Sequence, residues 1–380
     1  VKLDLFYEID VPRPWPGEFP ENQRREEQRS YKEALEQIQL ADKLGFNTVW
    51  LVEHHFREGR SHCSAPEVVH GALSQITENI RLGFGVALMP HAFTPPARVA
   101  EKIATVDILS GGRVEWGTGR STPMEQLAFG VDRDKSRAAA EDAIKAVVHM
   151  WETEYAEWHS EFLDFPERMV CPKPVQDPHP PAWMAATSDG SAEIAGGQGL
   201  GLLSFAIMQP LSRMAKQIAA YRAAAANPKP ITRIANNRVA AYTLVHCVDD
   251  LAKAEAEYDL WQSVWWWYQN LAEFTLQWEF PHFGQEQKDA YFPFLKKNAE
   301  GDFDPKMFNE QDMIIVGTPE DCLKKILHYE EIGVDQLLCY TQFGYLPHDS
   351  VMHTIELLGK EIIPELEKRG HKVNVDVKAS

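Results

Sequence analysis

Three clusters of residues in this chain have the types and spacing that chemistry needs. Glu53-His54-His55 sets a carboxylate and two imidazoles directly after the apolar run Thr48-Val49-Trp50-Leu51-Val52. An imidazole changes charge near neutral pH, so the pair suits a base beside an organic cofactor. It also suits metal ligation, or a core histidine satisfied by Glu53. The usual metal-hydrolase arrangement, H-x-H on a first strand and a closing Asp on the last, is missing, so no metal is expected. Gly117-Thr118-Gly119-Arg120 puts a glycine-flanked guanidinium after a second apolar run. Thr187-Ser188-Asp189-Gly190-Ser191 brings hydroxyls and backbone N–H groups to the start of a helix, a ready anion site that is equally an ordinary cap. Arg120 can reach the same anion, and a planar guanidinium suits phosphate.

The elements that must position these groups alternate regularly. Apolar strands are expected at 3–7, 48–52, 82–86, 114–116, 182–186, 201–204, 239–246 and 336–340. Helical stripes lie between them, such as Tyr31, Leu35, Ile38, Ala41 and Leu44, or Ala140, Ile144, Val147, Val148 and Trp151. Eight strand–helix repeats predict an α/β fold of (β/α)8 TIM-barrel type, whose chemistry sits at the C-terminal strand ends. An open doubly wound sheet is the alternative, but no G-x-G-x-x-G follows the first strand. The chain reads as one domain over 1–380, with insertions near 153–181 and 270–312 too long for ordinary connections. On a helix, Trp261, Val264, Trp265 and Tyr268 share a face that packs on the barrel or walls an apolar pocket.

A net charge of −18 argues against nucleic acid, which needs clustered Lys and Arg. No apolar run approaches ~20 residues, so no membrane span is expected. The five cysteines are widely spaced and read as reduced thiols of a cytoplasmic protein, and the acidic N-terminus does not read as a signal peptide.

Three stretches carry a family resemblance. Gly45-Phe46-Asn47-Thr48-Val49-Trp50-Leu51-Val52-Glu53-His54-His55-Phe56 is similar almost residue for residue to the G-F-D-T-V-W-L-L-E-H-H-F of the bacterial luciferase-like flavin monooxygenases. Ser110-Gly111-Gly112-Arg113-Val114-Glu115-Trp116-Gly117 resembles their S-x-G-R-x-x-x-G, and Val316-Gly317-Thr318-Pro319-Glu320-Asp321-Cys322 their V-G-T-P-E-E-C. The likeness covers nearly the whole chain and is greatest to the catalytic, alkanal-oxidising type of subunit.

That resemblance implies reduced FMN at the C-terminal face, O2 captured as a flavin C4a-peroxide, and a separate reductase supplying the flavin. It implies His54 and His55 as the catalytic imidazoles. It implies cofactor binding by Glu53, Arg120, Thr187, Ser188, Gly190 and Ser191, and a non-prolyl cis peptide at Gly85-Val86 beneath the flavin ring. Gly119 stands where that subunit has a reactive Cys, Thr187 where it has a Glu, and the 270–312 insertion where it has a mobile lid. The reading is therefore a two-component monooxygenase of a small, apolar organic substrate, ketone- or aldehyde-like, acting as a homodimer. Hydride transfer with deazaflavin F420 on the same fold, a non-catalytic flavin-binding protein and a metal-dependent hydrolase are the rival readings.

Overall fold

The computed structural model describes residues 1–186, 189–207, 209–370 and 377–378. Eight parallel strands form a closed ring: β1 (Lys2–Tyr7), β2 (Thr48–Leu51), β3 (Arg81–Leu88), β4 (Val114–Gly119), β5 (Ala182–Ala185), β6 (Gly201–Phe205), β7 (Val239–Cys247) and β8 (Gln336–Tyr340). Neighbours pair around the circle until Leu337 of β8 meets Leu3 of β1, which rules out the open sheet. The eight expected strands are all present, most of them shifted by a residue or two at one end.

Alternation along the strands sorts side chains between two cores. Leu3, Leu5 and Tyr7 of β1 pack outward with Val49, Leu82, Val114 and Leu337 against the helices. Phe6, Trp50, Trp183, Leu203, Ala240 and Leu338 fill the ring itself. Two tryptophans fit there because their neighbours have no side chain. A Cβ on Gly83 would lie 2.5 Å from the Trp50 ring, and one on Gly201 would lie 2.4 Å from that of Trp183.

The ring is sealed below by buried carboxylates. Asp4 accepts from Trp50 Nε1 at 2.8 Å and Gln336 Nε2 at 2.7 Å. Glu115 accepts from Trp183 Nε1 at 2.7 Å, Arg81 Nε at 2.6 Å and Arg238 Nη2 at 3.0 Å. Two of the family-like stretches also have structural roles. Arg113 donates to the carbonyls of Ser74, Thr77, Ile80 and Ser110, and Thr318 with Asp321 forms a reciprocal cap on the helix Pro319–Glu331.

The long connections carry structure of their own, of which only the aromatic helix was expected. The first holds a hairpin of Ala156–His159 and Asp164–Arg168. In the second, the helix Leu260–Phe274 runs on through a π turn, Thr275–Glu279, to a helix at Gln285–Ala299. Strand Ile315–Gly317 extends the sheet beside β7. The aromatic helix buries Val264, Trp266, Trp267 and Tyr268, while Trp261 and Trp265 are half-buried and bond outward to Glu255 and Gly301. The buried face is thus rotated from the expected one, since the ring mouth takes consecutive indoles rather than one narrow stripe.

Candidate active site

The strand ends converge as a barrel requires. His54, just past β2, is bonded through Nδ1 to Glu125 Oε1 at 3.1 Å. Glu125 belongs to a short helix, Pro123–Ala128, that follows β4. Its carboxylate also accepts the His55 backbone N–H at 2.6 Å, the Ser121 hydroxyl at 2.5 Å and the Thr122 hydroxyl at 2.6 Å. Burial works against its charge, but the His54 charge and these bonds win and hold the carboxyl far below the usual range. An ionised carboxylate only accepts, so the proton of neutral His54 stays on Nδ1 and Nε2 is left with its lone pair. The side chain of His54 keeps 20% of its surface accessible and that of Glu125 none.

Glu53 faces elsewhere. It lies 3.5 Å from His55 Nε2 and 3.7 Å from Lys102 Nζ, and lines with them a separate cavity of about 210 Å³ that also touches Glu67 and Arg98. Glu53 therefore does not partner His54.

The Gly85–Val86 peptide is cis. Room for it comes from β4, whose last two inward positions, Gly117 and Gly119, are glycine. A Cβ on Gly117 would sit 2.0 Å from the Phe84 carbonyl oxygen, and one on Gly119 would sit 2.3 Å from Val86 Cγ2. Beside this peptide the floor of the mouth is aromatic. Phe6 and Tyr242 stack with centroids 4.3 Å apart and planes 4° apart, and Phe205 lies 5.6 Å from Tyr242.

Arg120 donates to Ser136 Oγ at 3.1 Å, and Arg137 reaches Ser191 Oγ at 3.5 Å. Nη1 of Arg137 is buried without a hydrogen-bond partner among the described residues. Burial, then the charges of Arg137 and Arg133, push the Arg120 guanidinium downward, while Glu279 opposes them. Crowded cations with an orphaned donor are what a dianion would relieve, and Gly190 and Ser191 open the adjacent helix Asp189–Gly197. Thr187 and Ser188 lie outside the described residues. The cluster has the donors that a phosphate would need.

Three non-glycine residues at strand ends adopt left-handed backbone: Ile9 (φ 60°), Phe56 (φ 61°) and Ser121 (φ 65°). Such conformers cost on the order of 1–3 kcal/mol each and collect at functional sites. Each sits beside a charged group of the mouth: Glu8 and Asp10, Arg57, and Arg120. Asp10 is fully buried, accepting from the Tyr340 hydroxyl at 2.6 Å and the Gly344 N–H at 3.2 Å. Burial pushes its pKa from 3.8 up to about 8, against the pull of Arg60. Because the folded state keeps this proton longer, its contribution is full below pH 3.8 and is lost as pH rises toward about 8. The stability of the wild type relative to Asp10→Asn should therefore decline across that window in urea titrations at stepped pH. A flat difference would contradict the assignment.

The family model described as luciferase-like monooxygenase matches residues 17–336. The chain belongs to that family. Among its relatives, the uncharacterized protein y4wF of Sinorhizobium fredii is 28% identical over 338 residues, 88% of this chain and 92% of that one. The oxygenase component of the flavin-dependent trigonelline monooxygenase of Acinetobacter baylyi is 33% identical over 168 residues, 43% of this chain and 46% of its own length. Among solved structures, the oxygenating constituent of 3,6-diketocamphane monooxygenase from Pseudomonas putida, in complex with FMN, shares the fold with a TM-score of 0.71. It is 19% identical, over 96% of this chain and 98% of that one. In this luciferase-like chain, His54, Gly85, Val86 and Arg120 come to one mouth, with Gly190 and Ser191 beside Arg137. Glu125 and Arg137 were missed by sequence reasoning. Thr122-Pro123-Met124-Glu125 does carry the T-x-x-E signature of a capped helix start, which would have found the first.

Proposed function

We propose that this member of the flavin-dependent luciferase-like monooxygenases is the oxygenase of a two-component system. It takes reduced FMN from a separate reductase and uses O2 to oxygenate a small organic substrate. The observation that carries this reading is the His54–Glu125 pair beside the cis Gly85–Val86 peptide, with Arg120 and Arg137 crowded nearby and Nη1 of Arg137 left without a partner among the described residues. Reduced FMN, when bound, supplies the electrons that activate dioxygen. Arg120, Arg137 and Ser191 would hold its phosphate, and the Gly85–Val86 peptide, which Gly117 and Gly119 leave room for, would seat its ring. Glu125 keeps the His54 proton on Nδ1, so that Nε2 can accept a proton from the reacting centre. Phe274 and Glu279, from the insertion over the mouth, would exclude water during reaction.

The test supplies the chain with FMN, a flavin reductase, NADH and 18O2, together with a panel of ketones, aldehydes, hydrocarbons and aromatic acids. Product carrying one 18O atom is expected. No labelled product, with turnover on reduced F420 instead, would move the assignment to hydride transfer.

The phosphate role has its own check. Arg137→Ala should weaken FMN binding about 10- to 100-fold, the range of a hydrogen bond to a charged group. It should leave the flavin-free protein no less stable, since an orphaned buried donor is removed. Fluorescence titration and urea unfolding measure the two, and unchanged affinity would remove Arg137 from the site.

A further inference from the structure

One guanidinium in the mouth is left unexplained by the flavin. Arg57 follows the left-handed Phe56 and is only 9% exposed. Its guanidinium carbon lies 3.7 Å from the ring centroid of Phe274, in the insertion that covers the mouth. Among the described residues that side chain makes no hydrogen bond and no ion pair. The carboxylates whose charge it feels are committed or weakened. Glu8 is paired with Arg60 at 3.0 Å and Glu125 with His54 at 3.1 Å, and burial pushes Glu279 toward its neutral form. Arg60, the other cation nearby, lies on the Trp267 ring at 3.9 Å and adds like charge. A mostly buried cation with no protein acceptor, whose nitrogens still reach solvent, is open to a ligand that supplies one.

The surroundings limit what that ligand is. The donors proposed for the phosphate follow β4 and β5, whereas Arg57 lies beyond β2, close to Glu8, just past β1, and Tyr242 of β7. Tyr242 and Phe205, backed by the buried Phe6, and Phe274 on the far side of the Arg57 guanidinium supply aromatic surface, and rings prefer to pack on rings. We propose that Arg57 binds the carboxylate of a flat aromatic acid, the substrate class of this mouth, whose ring packs on that surface. The inference rests on the oxygenase reading for the fate of the acid, but not for its binding.

Calorimetric titration of the full chain, with and without FMN, would use benzoate against benzamide, nicotinate against nicotinamide, and cyclohexanecarboxylate as a non-planar acid. At least one aromatic acid should bind about 10- to 100-fold more tightly than its amide, and more tightly than the cyclohexane acid. Arg57→Gln should abolish the acid-over-amide preference while leaving amide and FMN affinities unchanged, and Arg57→Lys should restore part of it. Equal affinities for acid and amide, no binding of any acid, a preference surviving in Arg57→Gln, or a loss of FMN affinity in that variant would each overturn the proposal. If the chain fails to bind FMN at all, the oxygenase reading falls, while the acid preference of the flavin-free protein still decides this one.

Discussion

Replacing His54 by alanine is expected to cut product formation by about 10²- to 10⁴-fold, the usual span for a positioned acid–base group. The flavin should still bind, because the donors proposed for its phosphate, Arg120 and Arg137, lie on other elements. Oxygen would still be consumed and would leave as hydrogen peroxide. Coupled assays of substrate oxidation, peroxide release and FMN affinity separate these outcomes, and a normal product yield would refute the role. Glu125→Gln extends the test. It keeps the shape of the side chain but replaces a charged acceptor with an amide that no longer dictates which imidazole nitrogen holds the proton. Since Glu125 acts through His54, kcat should fall with KM for substrate unchanged, by less than in His54→Ala.

The second large effect concerns stability and lies at the opposite end of the barrel. Glu115 is 1% exposed and ties Arg81, Arg238 and Trp183 to one carboxylate. Glu115→Ala would take the shared carboxylate from two guanidinium charges and an indole N–H, leaving the arginines with neutral acceptors such as the Val114 carbonyl, Gln176 and Asn236. Breaking a buried pair from one side costs about 3–5 kcal/mol, and urea unfolding should register a loss of that size. A loss under about 1 kcal/mol, no more than an exposed ion pair contributes, would sink the claim. Burial opposes the Glu115 charge, yet Arg238 and Arg81 outweigh it and hold the carboxyl below 4.5. The sign is the reverse of that for Asp10. This contribution is present above pH 4.5 and lost as pH falls through the lower folded value, so the wild type should lose its advantage over Glu115→Gln in acid.

The barrel was legible because strands buried on both faces read as continuous apolar runs, and their ends are where charged residues abruptly appear. His54 and Arg120 stood out for that reason. Glu125 did not, because its spacing from Thr122 marks a helix start and is fully used as one. Its second task, holding His54, exists only once the ends of β2 and β4 approach each other. Arg137 lies in an alanine-rich helix, where a cation reads as solvated surface, and Arg57 sits among charged loop residues. Glu53 illustrates the converse. Adjacency in sequence let either histidine be its partner, and the structure gives it to His55. The aromatic helix misled in another way, since helical periodicity assumes one flat partner and a barrel mouth surrounds the helix more widely.

The contact between Gly119 and Val86 makes two positions 33 residues apart in the numbering compete for one small volume. A thiol at position 119 would need Val86 to shift or to be a smaller residue. Drift at these sites is therefore coupled, by sterics before catalysis can select anything. Swapping in the cysteine alone, as a test of what a thiol does to the flavin, would chiefly report a displaced β3.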